Sequence, residues 1–194
     1  MSTNTKRLLL IIGIAAAFCL VAVGVAAGGV FLLGNRLKDN FVTDRTKVQQ
    51  MAQSIIHYEL PPGYKEQVGM NFVFYKMIMF SPPGSGDQSL ILLAQFQPQQ
   101  NMTPDEMAQQ MQQSMEQQSG NSVKLKVVET RNVTIDGKQT SLTVSEGSNS
   151  SGMPIRQWMT AFKEKSGIVL VMIRGAISEW DDATWNSFLA SITS

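Results

Sequence analysis

Residues 90–96, LILLAQF, and residues 167–176, GIVLVMIRGA, carry the reading on which the fold turns. A strand with one wet face alternates apolar and polar residues, whereas these runs are continuous, as strands covered on both faces are. Both therefore read as central strands, and something must cover the sheet on each side.

Working outward, each central strand has a partner close in sequence. PIRQWMTAFKE (154–164) meets the second run near Lys165-Ser166-Gly167, and Phe72 to Phe80 meets Ser89 to Phe96 through the turn-rich SPPGSGDQ (81–88). VKLKVVETRNVTI (123–135) places Val123, Leu125, Val127, Val133 and Ile135 on alternate positions, as a strand does. Glu129 and Arg131 interrupt that face, which points to a bulge or to a strand running past the core. Asp136-Gly137 then supplies the positive φ of a two-residue hairpin, so a further strand starts at Lys138. Six strands result, mostly antiparallel.

Three helices supply the cover. Val48, Met51, Ala52 and Ile55 form an i, i+3, i+4, i+7 stripe on a helix over 44–58, capped by Asp44 or Thr43 and stopped before Pro61. TPDEMAQQMQQSMEQQSG (103–120) has Thr103 as cap, Pro104 at the first helical position and Glu106 three residues after the cap, a capping box with Gly120 as the stop. Trp185, Phe188, Leu189 and Ile192 make a third stripe behind Asp181-Asp182, whose carboxylates favour a helix start. The expected class is α+β: an N-terminal transmembrane helix, then a mostly antiparallel six-stranded sheet packed by helices, an αβα sandwich.

The membrane segment is read from Leu8 to Leu33, a run without one charged side chain. As a helix it is about 39 Å long, against a bilayer core of about 30 Å. A signal peptide has a shorter apolar run, and this one continues past the plausible site at Val25-Ala26-Ala27, so an uncleaved signal anchor is expected. Cys19, the sole cysteine, follows Phe18 rather than the small residue of a lipoprotein site and reads as apolar filler. The short basic tail, 1–7, and the polar downstream chain favour an N-terminus inside the cell. Residues 34–43 are then a juxtamembrane linker, and 44–194 the folded domain.

Composition excludes several functions. With 16 Lys and Arg against 15 Asp and Glu there is no basic excess to bind nucleic acid. His57 is the only histidine and no Gly-x-Ser-x-Gly is present, so a serine-histidine mechanism has no support. Zinc spacing, a phosphate loop and a dinucleotide fingerprint are all missing, and no cofactor is expected. Asp105-Glu106 and Asp181-Asp182 sit where helix starts want negative charge and read as caps. Met107, Met111 and Met115 recur at i, i+4, i+8; thioethers can hold copper(I), but the same spacing gives the apolar stripe this helix needs.

AQSIIHYELPPGY, LILLAQF, the capped middle helix and ISEWDDATWNSFLASI together resemble the PsbP-like αβα sandwich domains, in particular membrane-anchored bacterial relatives. That resemblance implies a binding or assembly module rather than an enzyme. The expected function is a single-pass, non-catalytic module outside the cytoplasm, its partners the lipid bilayer and a membrane or envelope protein. The expected partner surface is the Met helix (Met107, Met111, Met115) and the end of the Pro-Gly loop (Tyr64, Lys65). The alternative is a sensor or carrier holding a small apolar ligand or metal between sheet and helix. ELPPGY itself reads chiefly as a joint between helix and strand, since adjacent prolines do not make a PxxP ligand.

Overall fold

The computed structural model describes residues 40–85, 89–97, 102–118 and 124–193. Its strands are β1 (Phe41–Val42), β2 (Lys65–Asn71), β3 (Tyr75–Ser81), β4 (Leu90–Phe96), β5 (Lys124–Ile135), β6 (Lys138–Ser148), β7 (Pro154–Glu164) and β8 (Gly167–Ala176). The two continuous runs, β4 and β8, lie side by side with Leu93 opposite Val171. All eight strands form one sheet in the order β1-β2-β3-β4-β8-β7-β6-β5, and every pairing is antiparallel.

Alternation along β4 and β8 divides the core in two. Ile91, Leu93, Val169, Val171 and Ile173 face α1 (Arg45–Gln53) and α3 (Asp182–Ala190), with Val48, Ala52, Trp185, Phe188 and Leu189 packed onto them. Leu90, Leu92, Ala94, Leu170 and Met172 face the other way, onto Met107 and Met111 of α2 (Pro104–Gln118). Helices thus cover both faces, the arrangement that two doubly apolar strands require.

The expected sheet of six strands is corrected to eight. β1 is only two residues long, and β2, KEQVGMN, covered by β1 only at Gly69 and Met70, is charged and polar with a glycine, so neither carries a strong strand signature. The expected strand from Phe72 to Phe80 is in fact a turn followed by β3. Phe72 and Tyr75 close that turn through a 2.9 Å backbone bond, and an apolar run that reads as buried is exposed at its tip. The transmembrane helix expected from Leu8 to Leu33 lies outside the described residues; among those described, no helix is long and apolar enough to cross a membrane.

Local chemistry explains the remaining boundaries. α1 stops at Gln53 rather than Tyr58: Ser54 closes its last turn by donating its N–H to carbonyls of that turn, and Ile55 and Ile56 enter the core beyond it. His57 then exchanges two backbone bonds with Thr193, tying the chain after α1 to the C-terminal segment. The register of β5 against β6 shifts between Val127 and Glu129, so the interruption seen in the sequence is a bulge. It turns Val133 and Ile135 toward the α1 and α3 side while Val127 pairs with Ser145. Asp136 at φ 51° and Gly137 at φ 71° build the tight turn to β6.

Candidate functional site

The loop from Glu59 to Tyr64 joins α1 to β2 and separates two clefts. Tyr64 donates its backbone N–H to the Pro61 carbonyl at 3.1 Å, and Gly63 has φ +87°. Pro62 and Gly63 therefore occupy the middle of a turn that needs proline then a left-handed residue. Glu59 donates its N–H to Ser191 Oγ at 3.0 Å, which fastens the loop to the end of α3. Tyr64 packs edge-on against Trp185 at 5.5 Å, and its hydroxyl is paired with that of Ser89. The loop is rigidly built.

One cleft, about 290 Å³, lies between α1, this loop and β2. Arg45, Gln49, Gln53, Tyr58, Tyr64 and Glu66 line it. The Glu66 side chain is only 6% exposed, accepts from the Tyr58 hydroxyl at 3.3 Å and lies 3.9 Å from the Arg45 guanidinium. A buried carboxylate needs such partners to stay charged at tolerable cost. Burial, then the Glu66 charge, pushes the Tyr58 phenol well above its ordinary range. The second cleft, about 310 Å³, lies between Pro61-Pro62 and the start of α3 at Asp181 and Thr184. Asp181 caps that helix, and the Thr184 hydroxyl and Ala183 N–H hold its carboxyl below the usual range.

The expected site residues separate. Lys65 is exposed at the start of β2 and Tyr64 is half-buried beside it. Met107 and Met111 are 4% and 1% exposed against the sheet, so their thioethers belong to the core and are not offered to a partner. The side chain of Met115 lies outside the described residues, as do Leu8 and Leu33. Thr103 and Glu106 do exchange the two bonds of a capping box, at 2.8 and 3.3 Å, so those residues serve the helix start. Among the described residues no three His, Cys, Asp or Glu side chains converge as a metal site requires. Neither cleft lies between the sheet and α2. Sequence reading missed Arg45, Tyr58 and Glu66, because nothing in KEQ marks its glutamate as buried.

All three tyrosines of the chain, Tyr58, Tyr64 and Tyr75, have raised pKa values, Tyr75 pushed up to about 12, with burial the first cause in each. The unfolded chain ionises its phenols near 10.0 while the fold resists it. The contribution to stability is thus complete below pH 10 and lost as pH rises through the folded values. Native absorbance titration at 295 nm should show every phenolic step above 10, and Glu66→Gln should lower only the Tyr58 step. A native step at the ordinary value would contradict the burial described.

A comparison with protein-family models finds no match for this chain, and a search of curated proteins finds none either.

Proposed function

We propose that this chain is a single-pass, membrane-anchored binding or assembly module, non-catalytic and exposed outside the cytoplasm, which engages a neighbouring membrane or envelope protein. The observation that carries the reading is the placement of the Pro-Gly loop. It stands as a fixed ridge between two open clefts, next to an incomplete sheet edge. β1 pairs with Gly69 and Met70 of β2, so among the described residues Lys65 to Val68 form the outer rim of the sheet. Exposed Lys65, the charged Arg45 and the glutamines of α1 offer polar contacts along that rim, and an extended segment of a partner can add to such an edge. A PsbP-like character, drawn from the sequence resemblance, agrees with a module of this kind. Membrane attachment raises the local concentration of a partner in the same membrane, so a modest interface suffices.

Photo-crosslinking in native membranes tests this. A photoreactive side chain at Lys65 should give a discrete protein adduct that the same group at Lys126, exposed on the opposite edge strand, does not give. Failure to capture anything at Lys65 or at the loop would sink the proposal.

A further inference from the structure

Among the described residues the large apolar side chains left exposed are Val73 at 75%, Phe74 at 65%, Val127 at 49% and Val128 at 55%. The first two form the tip of the β2–β3 hairpin. This tip is not loose: Phe72 stacks on Tyr75 at 4.8 Å, both pack against the α2-side core, and Gln97 donates its N–H to the Phe74 carbonyl at 3.0 Å. Val73 and Phe74 are thus held outward on a firm base.

The strand register places this tip beside the point where the chain enters the domain. Phe41 lies opposite Met70 and β1 runs antiparallel to β2, so Asn40 falls beside Asn71, with the tip only two or three residues beyond. At about 3.3 Å per residue that is roughly 10 Å. The uncharged run from Leu8 ends at Leu33, and the seven residue steps to Asn40 reach at most about 25 Å. The hairpin tip therefore lies at most about 35 Å from the end of the uncharged run.

Charge at the same end of the sheet agrees. Tyr75 pairs with Phe96, Phe96 with Ile168 and Ile168 with Lys163, so these residues share one row across β3, β4, β8 and β7. Lys163 and Lys165 are exposed at this end, where phosphate headgroups attract cations, and the carboxylates of Glu164 and Asp136 there are both paired with Lys138, while Glu179, Asp181 and Asp182 lie toward the other end, after β8. An exposed aromatic and aliphatic pair, with lysines further along the same end of the sheet, fits the interfacial layer of a bilayer, where aromatic rings and basic ends concentrate.

We propose that Val73 and Phe74 insert into the headgroup boundary of the bilayer that holds the N-terminal segment, giving the domain a second membrane contact and so a fixed orientation. The proposal rests on the membrane-anchored reading above. With two contacts the domain stands with its β3–β4 and β6–β7 turns away from the membrane.

The test uses the full chain in lipid nanodiscs of phosphatidylcholine and phosphatidylglycerol, with Cys19→Ser as background and a spin label at Phe74→Cys or, as control, Val128→Cys. The label at 74 should be relaxed more by oxygen than by a water-soluble nickel chelate, and the label at 128 the reverse. Equal, aqueous behaviour at both positions in a chain that resists carbonate extraction overturns the insertion and leaves the anchor standing. Protection of position 74 from both reagents overturns it in favour of a protein contact. Release of the chain by carbonate overturns the anchor itself, and the insertion with it.

Discussion

Gly167→Ala is expected to remove a large share of the stability of the domain. Gly167 follows the two-residue turn between β7 and β8 at φ +143°, a backbone conformation that L side chains rarely adopt. A methyl group on its Cα would stand 1.9 Å from the Phe96 carbonyl oxygen, which is backbone and cannot rotate away. Backbone strain of about 1–3 kcal/mol and overpacking of about the same size add to roughly 4 kcal/mol. A domain of this kind has a total of about 5–15 kcal/mol. Gly152→Ala is the matched control: its φ is +77° but nothing lies within 4 Å of the added methyl, so only the strain is incurred. Chemical denaturation of the detergent-solubilised chain should place Gly167→Ala far below Gly152→Ala. Equal midpoints would mean that the close approach of the β7–β8 turn to the end of β4 is wrong.

Trp158→Ala should cost about as much, for the opposite reason. Trp158 is the largest side chain that is fully buried, 1% exposed on β7 between Val144 and Ile173 of the neighbouring strands. Trp180 meets its ring edge-on at 5.5 Å, and the Arg131 guanidinium lies 4.6 Å from its centroid. Truncation leaves a large cavity and takes the aromatic partner from a cation, and such changes cost about 3–5 kcal/mol. Val128→Ala, at the exposed bulge, should change stability by less than about 0.5 kcal/mol. Near-ultraviolet circular dichroism should lose the coupled Trp158–Trp180 signal in the first variant. An unchanged denaturation midpoint in Trp158→Ala would contradict the burial of the ring.

Legibility in the sequence followed burial on both faces. LILLAQF and GIVLVMIRGA were readable as central strands because a strand apolar on both sides has only one stable place in a sheet. The capping box at Thr103 and Glu106 and the Asp136-Gly137 turn were readable because each is set by a few adjacent residues, whereas Glu129 and Arg131 left a bulge and an overrunning strand as alternatives that the register decided. β2 was not, since KEQVGMN is defined by pairing with β3 rather than by its own preference. The candidate site shows the same limit: Glu66 has its partners eight residues away at Tyr58 and across the cleft at Arg45, and no local pattern announces that meeting.

ELPPGY occupies the boundary between the two kinds of information. Its prolines and glycine, by excluding helix and favouring a tight turn, determined from sequence alone that no helix runs through it and that the chain turns there, although α1 ends earlier, at Gln53. Sequence likewise determined that Val73 and Phe74 are apolar, but read them as strand interior. Only the tertiary structure decided that they form an exposed tip, that Met107 and Met111 are core, and that the loop is a ridge between two clefts. The physical reason is that side-chain chemistry fixes what a residue prefers to contact, while the strand order and register fix which neighbours are there to meet it.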